Sequence, residues 1–382
     1  MSKHQALALG GRVATVPFML FSIVALVGLV LLAQRFLFGL GAVANINQGY
    51  PWGIWVAYDV VIGTAFGCGG YALALLVYVL NKGEYHPLVR PALLASVFGY
   101  TLGAFSAFFD MGRYWNFYNM FLPWQINLNS VMLEVGLCVT AYTLVLWIEF
   151  APAVLERFNL KDKLRLLNRF LFIVIAVGIL LPTMHQSSLG SLMIAAGHKL
   201  SPLWQTPLLP LLFLVSAIAM GFSIVMFESS LSAVGLRRPL ETPLLAKLGR
   251  IVAGMLVGYL VLRFADLILR GQLGLVFAGD LKAFMFWVET LLYVAPVVVL
   301  SSARLRARPG QIFLAATAML LAGTIYRFNA FLIGFDPGAG FHYFPSVSEI
   351  LVSLGIIAIE IVGYIWLVKR LPVMPRLETA KA

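Results

Sequence analysis

Charge is scarce in this sequence, and the scarcity decides the solvent. Only 11% of the 382 residues are Asp, Glu, Lys or Arg, against 61% hydrophobic. A soluble domain carries about 25% charged and roughly 45–50% apolar residues, so a water-solvated globule is excluded. Disorder is excluded too, because 28 Phe, 14 Tyr and 8 Trp are too much apolar surface to leave in water. Cysteine is rarer still. Cys68 and Cys138 cannot supply the thiolates that an iron–sulfur cluster usually takes, and both sit inside apolar runs, as small core residues do. The net charge of +11 would suit nucleic acid, but the basic residues lie in loops between apolar runs, which is a membrane-topology signal. No nucleic-acid partner is expected; the expected surroundings are a lipid bilayer.

Ten apolar stretches are long enough to span it: about 16–34, 52–80, 90–109, 128–150, 168–184, 208–230, 249–269, 281–300, 312–333 and 346–370. Gly, Pro and charge clusters such as Asn81–Glu84 and Arg304–Pro309 separate them. The runs are continuous rather than alternating, which argues against a barrel. The expected fold is an all-α polytopic bundle, a single membrane domain over residues 1–382. The first run is too long for a signal peptide, and Gln34-Arg35 separates it from the cleavage-like Ala42-Val43-Ala44, so it reads as a retained helix. Spacing hints at a repeat: Asp110 precedes Glu134 by 24 residues, and Asp266 precedes Glu289 by 23. This fits two four-helix units, helices 2–5 and 6–9, flanked by helices 1 and 10.

Orientation follows from the 27 Lys and Arg residues. Twenty lie on the side of the two termini, including Lys3, Arg376 and Lys381. Five lie on the opposite side (Arg35, Arg113, Lys199, Arg270 and Lys282), and Arg263 and Arg327 fall within helices. Both termini are therefore expected in the cytoplasm. The opposite loops are poor in charge but rich in aromatics, as in Gly49-Tyr50-Pro51-Trp52 and Tyr114-Trp115-Asn116-Phe117-Tyr118. Interfacial anchoring accounts for single aromatics. Their concentration on one face fits a lid or a docking surface.

Ionisable side chains inside a bilayer usually line a cavity or pair with one another. Asp59, Glu134, Glu228, Arg263, Asp266, Glu289, Arg327 and Glu360 lie within the spans, and Asp110, Arg113, Glu149, His185 and Glu349 near their ends. The alternation of the helices brings Asp59, Glu134, Asp110, Arg113 and His185 toward one outer level. Asp110–Arg113 and Arg263–Asp266 have i,i+3 spacing and can equally be structural ion pairs. Glu134 has no basic neighbour in sequence, which suits an acid that takes up and releases a proton. Pro182-Thr183-Met184-His185-Gln186-Ser187-Ser188 reads as a broken helix end, a pocket for the polar head of an amphipathic ligand. A bis-histidine haem needs ligands on facing helices. Of His4, His86, His185, His198 and His342 only His185 is near such a place, so neither haem nor an iron–sulfur cluster is expected in this chain.

Several segments carry a resemblance: Gly49-Tyr50-Pro51-Trp52-Gly53 with Asp59, Cys68-Gly69-Gly70, Tyr85-His86-Pro87 through Ala95-Ser96, Gly112-Arg113-Tyr114-Trp115-Asn116, Leu181 through Ser188, and Phe277-Ala278-Gly279-Asp280. From about residue 10 to 375 the chain resembles the NrfD/PsrC family of quinone-interacting membrane subunits, and within it the anchors of periplasmic uptake NiFe hydrogenases. The resemblance implies a bacterial inner-membrane protein that takes electrons from a periplasmic ferredoxin-like iron–sulfur subunit, fed by the hydrogenase large and small subunits. It further implies that these electrons reduce menaquinone or ubiquinone as substrate. On this reading His185, Asp59, Gln186 and Trp115 are candidates for the quinone site. Glu134, Asp110, Arg113, Glu289 and Glu360 are candidates for proton transfer, and no metal site is expected. A solute or ion transporter and a b-type cytochrome subunit are the alternatives.

Overall fold

A computed structural model describes residues 6–375; Lys3, His4, Arg376 and Lys381 lie outside them. Ten helices have the length and composition to cross a membrane: α1 (Val16–Phe38), α2 (Trp55–Val79), α3 (Gly83–Asp110), α4 (Val131–Arg157), α5 (Lys161–Ala195), α6 (Leu209–Gly235), α7 (Thr242–Leu269), α8 (Leu281–Ser301), α9 (Pro309–Ile333) and α10 (Val347–Arg370). Each matches one apolar stretch of the sequence. The chain ends meet in a short antiparallel pair, Ala6–Leu7 with Met374–Pro375.

Helices α2–α5 pack on one another in chain order, and so do α6–α9, with α2 against α6 where the two groups meet. α1 lies along α10, which in turn packs on α3. The α1–α10 contact is close because glycines face each other: a Cβ on Gly28 would stand 2.8 Å from the Gly355 Cα. Without a hydrophobic force between helices in lipid, such small-residue contacts are what lets dispersion hold them.

Burial ranks the helices. In its most apolar window α2 is 78% buried and α5 only 6%, so α2 is the central post and α5 a lipid-facing wall. α2 is not a regular helix. Wider π-turns at Trp55–Val60 and Leu75–Val79 bracket two short α segments, Gly63–Phe66 and Gly69–Ala74. Its backbone is approached closely at the break: a Cβ on Gly221 of α6 would sit 2.5 Å from the Cys68 carbonyl oxygen. Irregular backbone at this depth is tolerated because protein surrounds it.

One boundary differs substantially. The stretch expected to end at 184 continues as helix to Ala195, straight through Pro182. The polar residues do not break the helix, because they bond back to it. Thr183 Oγ1 donates to the Ile179 carbonyl at 2.8 Å and Ser187 Oγ to the Thr183 carbonyl at 3.0 Å. His185 is therefore no helix end. It stands ten residues, about 15 Å, before the end of α5, well inside the helix.

Candidate functional site

His185 is fully buried and sits at the centre of a polar network drawn from four helices. Gln186 Nε2 lies 3.0 Å and the Tyr100 hydroxyl 3.2 Å from His185 Nε2, while Nδ1 faces the Leu181 carbonyl at 3.3 Å. The Gln186 amide is oriented by its other contacts. Its Nε2 donates to Thr64 Oγ1 at 3.1 Å, and its Oε1 accepts from Arg327 Nη2 at 3.4 Å. The Nε2 group is thus the donor toward the imidazole. His185 then carries its proton on Nδ1, toward Leu181, and offers the Nε2 lone pair to Gln186 and Tyr100. Tyr100 also meets Cys68 Sγ at 3.4 Å, so Cys68 is more than filler.

Arg327 closes the network from α9. Its guanidinium, wholly buried, donates to the Val61 carbonyl at 3.2 Å, Ser216 Oγ at 3.3 Å and the Phe213 carbonyl at 3.5 Å. It touches α2, α5 and α6 at once. No carboxylate lies within ion-pair distance of it among the described residues. It is a fixed positive charge at the junction of the two helix groups.

Glu134 approaches the same helix from α4. Ser188 Oγ, three residues beyond His185, donates to Glu134 Oε1 at 2.7 Å. The Asn129-Ser130 pair before it is explained locally: Ser130 caps α4 by accepting from the Leu133 backbone N–H at 3.3 Å. Glu134 is half-buried, and Met132 on α4 and Met184 on α5 are exposed on either side. Glu134 is thus a part-exposed acid between α4 and α5, at the edge of the buried network.

Asp59 goes elsewhere. It points across α2 to α10, where Ser353 Oγ donates to its Oδ2 at 2.9 Å. The expected grouping of Asp59 with His185 is corrected: the π-turn over Trp55–Val60 sets Asp59 toward α10, whereas Thr64, five residues on, meets Gln186. Ser353, Glu360 and Tyr364 are seven and four residues apart on α10, so they form one stripe with Glu349. The stripe ends at a small, half-open cavity of about 70 Å³ lined by Glu228, Ser232, Arg238 and Tyr364. At the aromatic-rich end, Tyr343 donates to Glu349 Oε1 at 2.7 Å and accepts from the Ile54 N–H. Burial and that carboxylate push the Tyr343 hydroxyl upward, so it stays protonated as the donor.

Neither i,i+3 spacing forms an ion pair. α3 stops at Asp110, so Arg113 lies outside the helix and exposed, and the Asp110 carboxylate instead accepts from the Gly53 N–H at 2.7 Å. Arg35, expected in a loop, is buried in α1 and caps α3 through the Phe109 carbonyl at 2.8 Å. Asp266 pairs with Arg270 at 2.7 Å and accepts from Thr206, while Arg263 turns to Glu289 at 3.8 Å. Trp115 is 58% exposed on the loop between α3 and α4, packed edge-on against Tyr114, and is not among the hydrogen-bond partners of His185. The suggested repeat has a structural basis: Asp110 and Asp266, each at the end of its helix, both reach the chain just before the helix one earlier.

Tyr100, Thr64 and Cys68 do not stand out as site residues in the sequence, and Ser188 does so only as the last member of the polar run after Pro182. Tyr100 carries a usable signal, since it lies mid-helix, away from the interfaces where Tyr normally anchors. The others are ordinary small residues whose role depends on what faces them.

The sequence profile described as "Polysulphide reductase, NrfD" matches residues 42–335. The chain belongs to the NrfD family. As an NrfD chain with ten spans, it is a multi-pass protein of the bacterial inner membrane. It is 49% identical to the "Probable Ni/Fe-hydrogenase 2 b-type cytochrome subunit" of Escherichia coli, over 98% of this chain and 96% of that one. It is 27% identical to the "Menaquinone reductase, integral membrane subunit" of Nitratidesulfovibrio vulgaris, over 88% of this chain and 86% of that one.

The first of these names overturns one expectation. The histidine inventory pointed to a chain without haem, and a relative called a b-type cytochrome subunit contradicts that. The described histidines of this NrfD chain nonetheless fit the axial pair of a b-type haem poorly. His185 has both ring nitrogens engaged, and His86, His198 and His342 are exposed beyond the helix interiors.

Proposed function

We propose that the chain is the quinone-reducing membrane anchor of a hydrogenase complex, holding the quinone head at the α4–α5 seam. In coarser terms it is a membrane subunit of a redox complex. The names of the hydrogenase and menaquinone reductase relatives support the finer reading. The single observation that carries it is Glu134: a part-exposed acid, bonded to Ser188 one helical turn from the buried His185 network. The basic residues favour cytoplasmic termini, which makes the aromatic-rich end periplasmic. There Trp115, Phe117, Tyr118, Phe121 and Trp124 stay exposed, a surface suited to a ferredoxin-like iron–sulfur subunit fed by the hydrogenase.

Reduction of quinone to quinol takes two electrons and two protons. Each electron adds negative charge to a ring in a low-dielectric site, which is costly unless a proton follows. Glu134 gives its carboxyl proton to a quinone oxygen, and the Ser188 hydroxyl steadies the carboxylate left behind. The same carboxyl, reprotonated from water between the two electrons, delivers the second proton, and the Tyr100–His185 hydrogen bond fixes the imidazole behind it. Arg327 places positive charge behind Gln186, favouring electron arrival on the nearby ring. Arg113 takes no part, and Trp115 serves docking rather than the ring.

Asp110, Asp59 and Glu360 form a second line in this proposal, a route along α10 between the periplasmic end and the cytoplasmic cavity. Glu360→Gln is expected to lower the protons moved per electron in proteoliposomes of the complex, with electron transfer unchanged when a protonophore is present. An unaltered ratio would remove Glu360 from the route.

The central test is hydrogen-driven reduction of a menaquinone analogue by the complex in nanodiscs. His185→Ala is expected to weaken binding of a quinone-site inhibitor and slow reduction, while hydrogen oxidation with a soluble dye stays intact. Wild-type complex that oxidises hydrogen with the dye but reduces no quinone would overturn the reading.

A further inference from the structure

The second helix group holds a polar cluster that no step above uses. Tyr259 and Arg263 lie one turn apart on α7, Glu289 and Tyr293 one turn apart on α8, and Tyr326 and Asn329 on α9. The tyrosine rings adjoin, Tyr259 and Tyr293 at 4.6 Å between centroids and Tyr259 and Tyr326 at 5.9 Å. Arg263 stands over the Tyr326 ring at 5.5 Å. Glu289 is tied down by Trp204 Nε1 at 2.9 Å and Asn329 Nδ2 at 2.8 Å, both on Oε2, so Oε1 remains to face Arg263.

Tyr259, Arg263, Glu289, Tyr293, Tyr326 and Asn329 are all at most 2% exposed, yet five of the six carry polar atoms left over from the hydrogen bonding around them. The three guanidinium nitrogens of Arg263 and Asn329 Oδ1 have no hydrogen-bond partner in the protein, and the hydroxyls of Tyr259, Tyr293 and Tyr326 have none except one another. They make up seven of the ten such buried atoms among the described residues, so this is a concentration and not scatter. Each buried polar group left unpaired costs about 1–3 kcal/mol. Lipid cannot offset that, and the three helices pack directly on one another. The chemistry of the atoms names what does. Arg263 only donates, Asn329 Oδ1 only accepts, and the hydroxyls do both. A species that bonds all of them must donate and accept and be very small.

We propose that α7, α8 and α9 enclose a bound cluster of water molecules that hydrates Arg263 and the three tyrosine hydroxyls and bridges Arg263 to Glu289. An anion is disfavoured because Arg263 and Glu289 already balance. Water, hydroxyl and carboxyl groups can all take and give protons, so the cluster is a store from which Glu289 can load and unload one. The proposal needs only the fold and these atoms, and it does not depend on the quinone reading.

The test is X-ray radiolytic labelling of the intact complex in nanodiscs, read by mass spectrometry, in which hydroxyl radicals form at bound water and mark the side chains touching it. Tyr259, Tyr293 and Tyr326 are expected to be oxidised several-fold faster than Tyr71, which is equally buried but has its hydroxyl bonded to Thr183 at 2.6 Å. Tyr293→Phe is expected to slow labelling of Tyr259 and Tyr326. Labelling no faster than at Tyr71 in the wild-type complex would overturn the proposal, whatever the variant does. So would rates that change when chloride is replaced by gluconate, which would assign the site to an anion.

Discussion

Glu134→Gln is expected to slow hydrogen-driven quinone reduction by about 10²-fold, the typical weight of a general acid. The substitution keeps the side chain's length and leaves an amide oxygen that can still accept from Ser188, so the α4–α5 contact at 2.7 Å survives. Only the proton is lost. Hydrogen oxidation with a soluble dye and the yield of assembled complex should match the parent. Glu134→Asp separates two roles, because it keeps the proton but pulls the carboxyl back by one methylene from Ser188. Its rate should fall between the two. Quinone reduction within twofold of the parent in Glu134→Gln would remove Glu134 from the chemistry, since nothing else about the site would have changed.

Arg327→Met is expected to cost the most stability of any single change in the polar network. Methionine fills much the same volume, but the Val61 carbonyl, Ser216 and Gln186 Oε1 then lose their donor in the dry centre of the protein. At about 1–3 kcal/mol per orphaned group, a loss of roughly 3 kcal/mol is expected. The α2 break suffers first, because Val61 lies between its π-turn and the Gly63–Phe66 segment. Thermal unfolding of the complex in detergent checks this as a marked fall in Tm. Arg327→Lys should recover part of the fall, having the charge but not the fork that reaches three helices at once. A Tm equal to the parent's in Arg327→Met would show that the network is not what holds the two helix groups together.

The candidate site is half legible in the sequence. His185, Gln186 and Glu134 stand out because polar residues in apolar runs are conspicuous, and α5 gathers them. Their depth is not legible, because Pro182 reads as a terminator while Thr183 and Ser187 meet the helix's own carbonyls. Asp59 is equally conspicuous, but which neighbour it faces depends on the π-turn at Trp55–Val60. Arg263 and Asp266 sit three apart and look like partners, yet each finds a better one on another turn or another helix.

The sequence alone determined that ten helices cross a bilayer, which stretch forms each, and which end is rich in aromatics. A spanning helix needs about 20 apolar residues in a row, and that requirement is written along the chain itself. Only the tertiary structure decided which polar side chains meet, because that depends on how each helix is rotated and how deeply it is set against its neighbours. Packing fixes both. Glycines such as Gly221 and Gly355 set how near two backbones come, and a shift of one residue turns a side chain through about 100°.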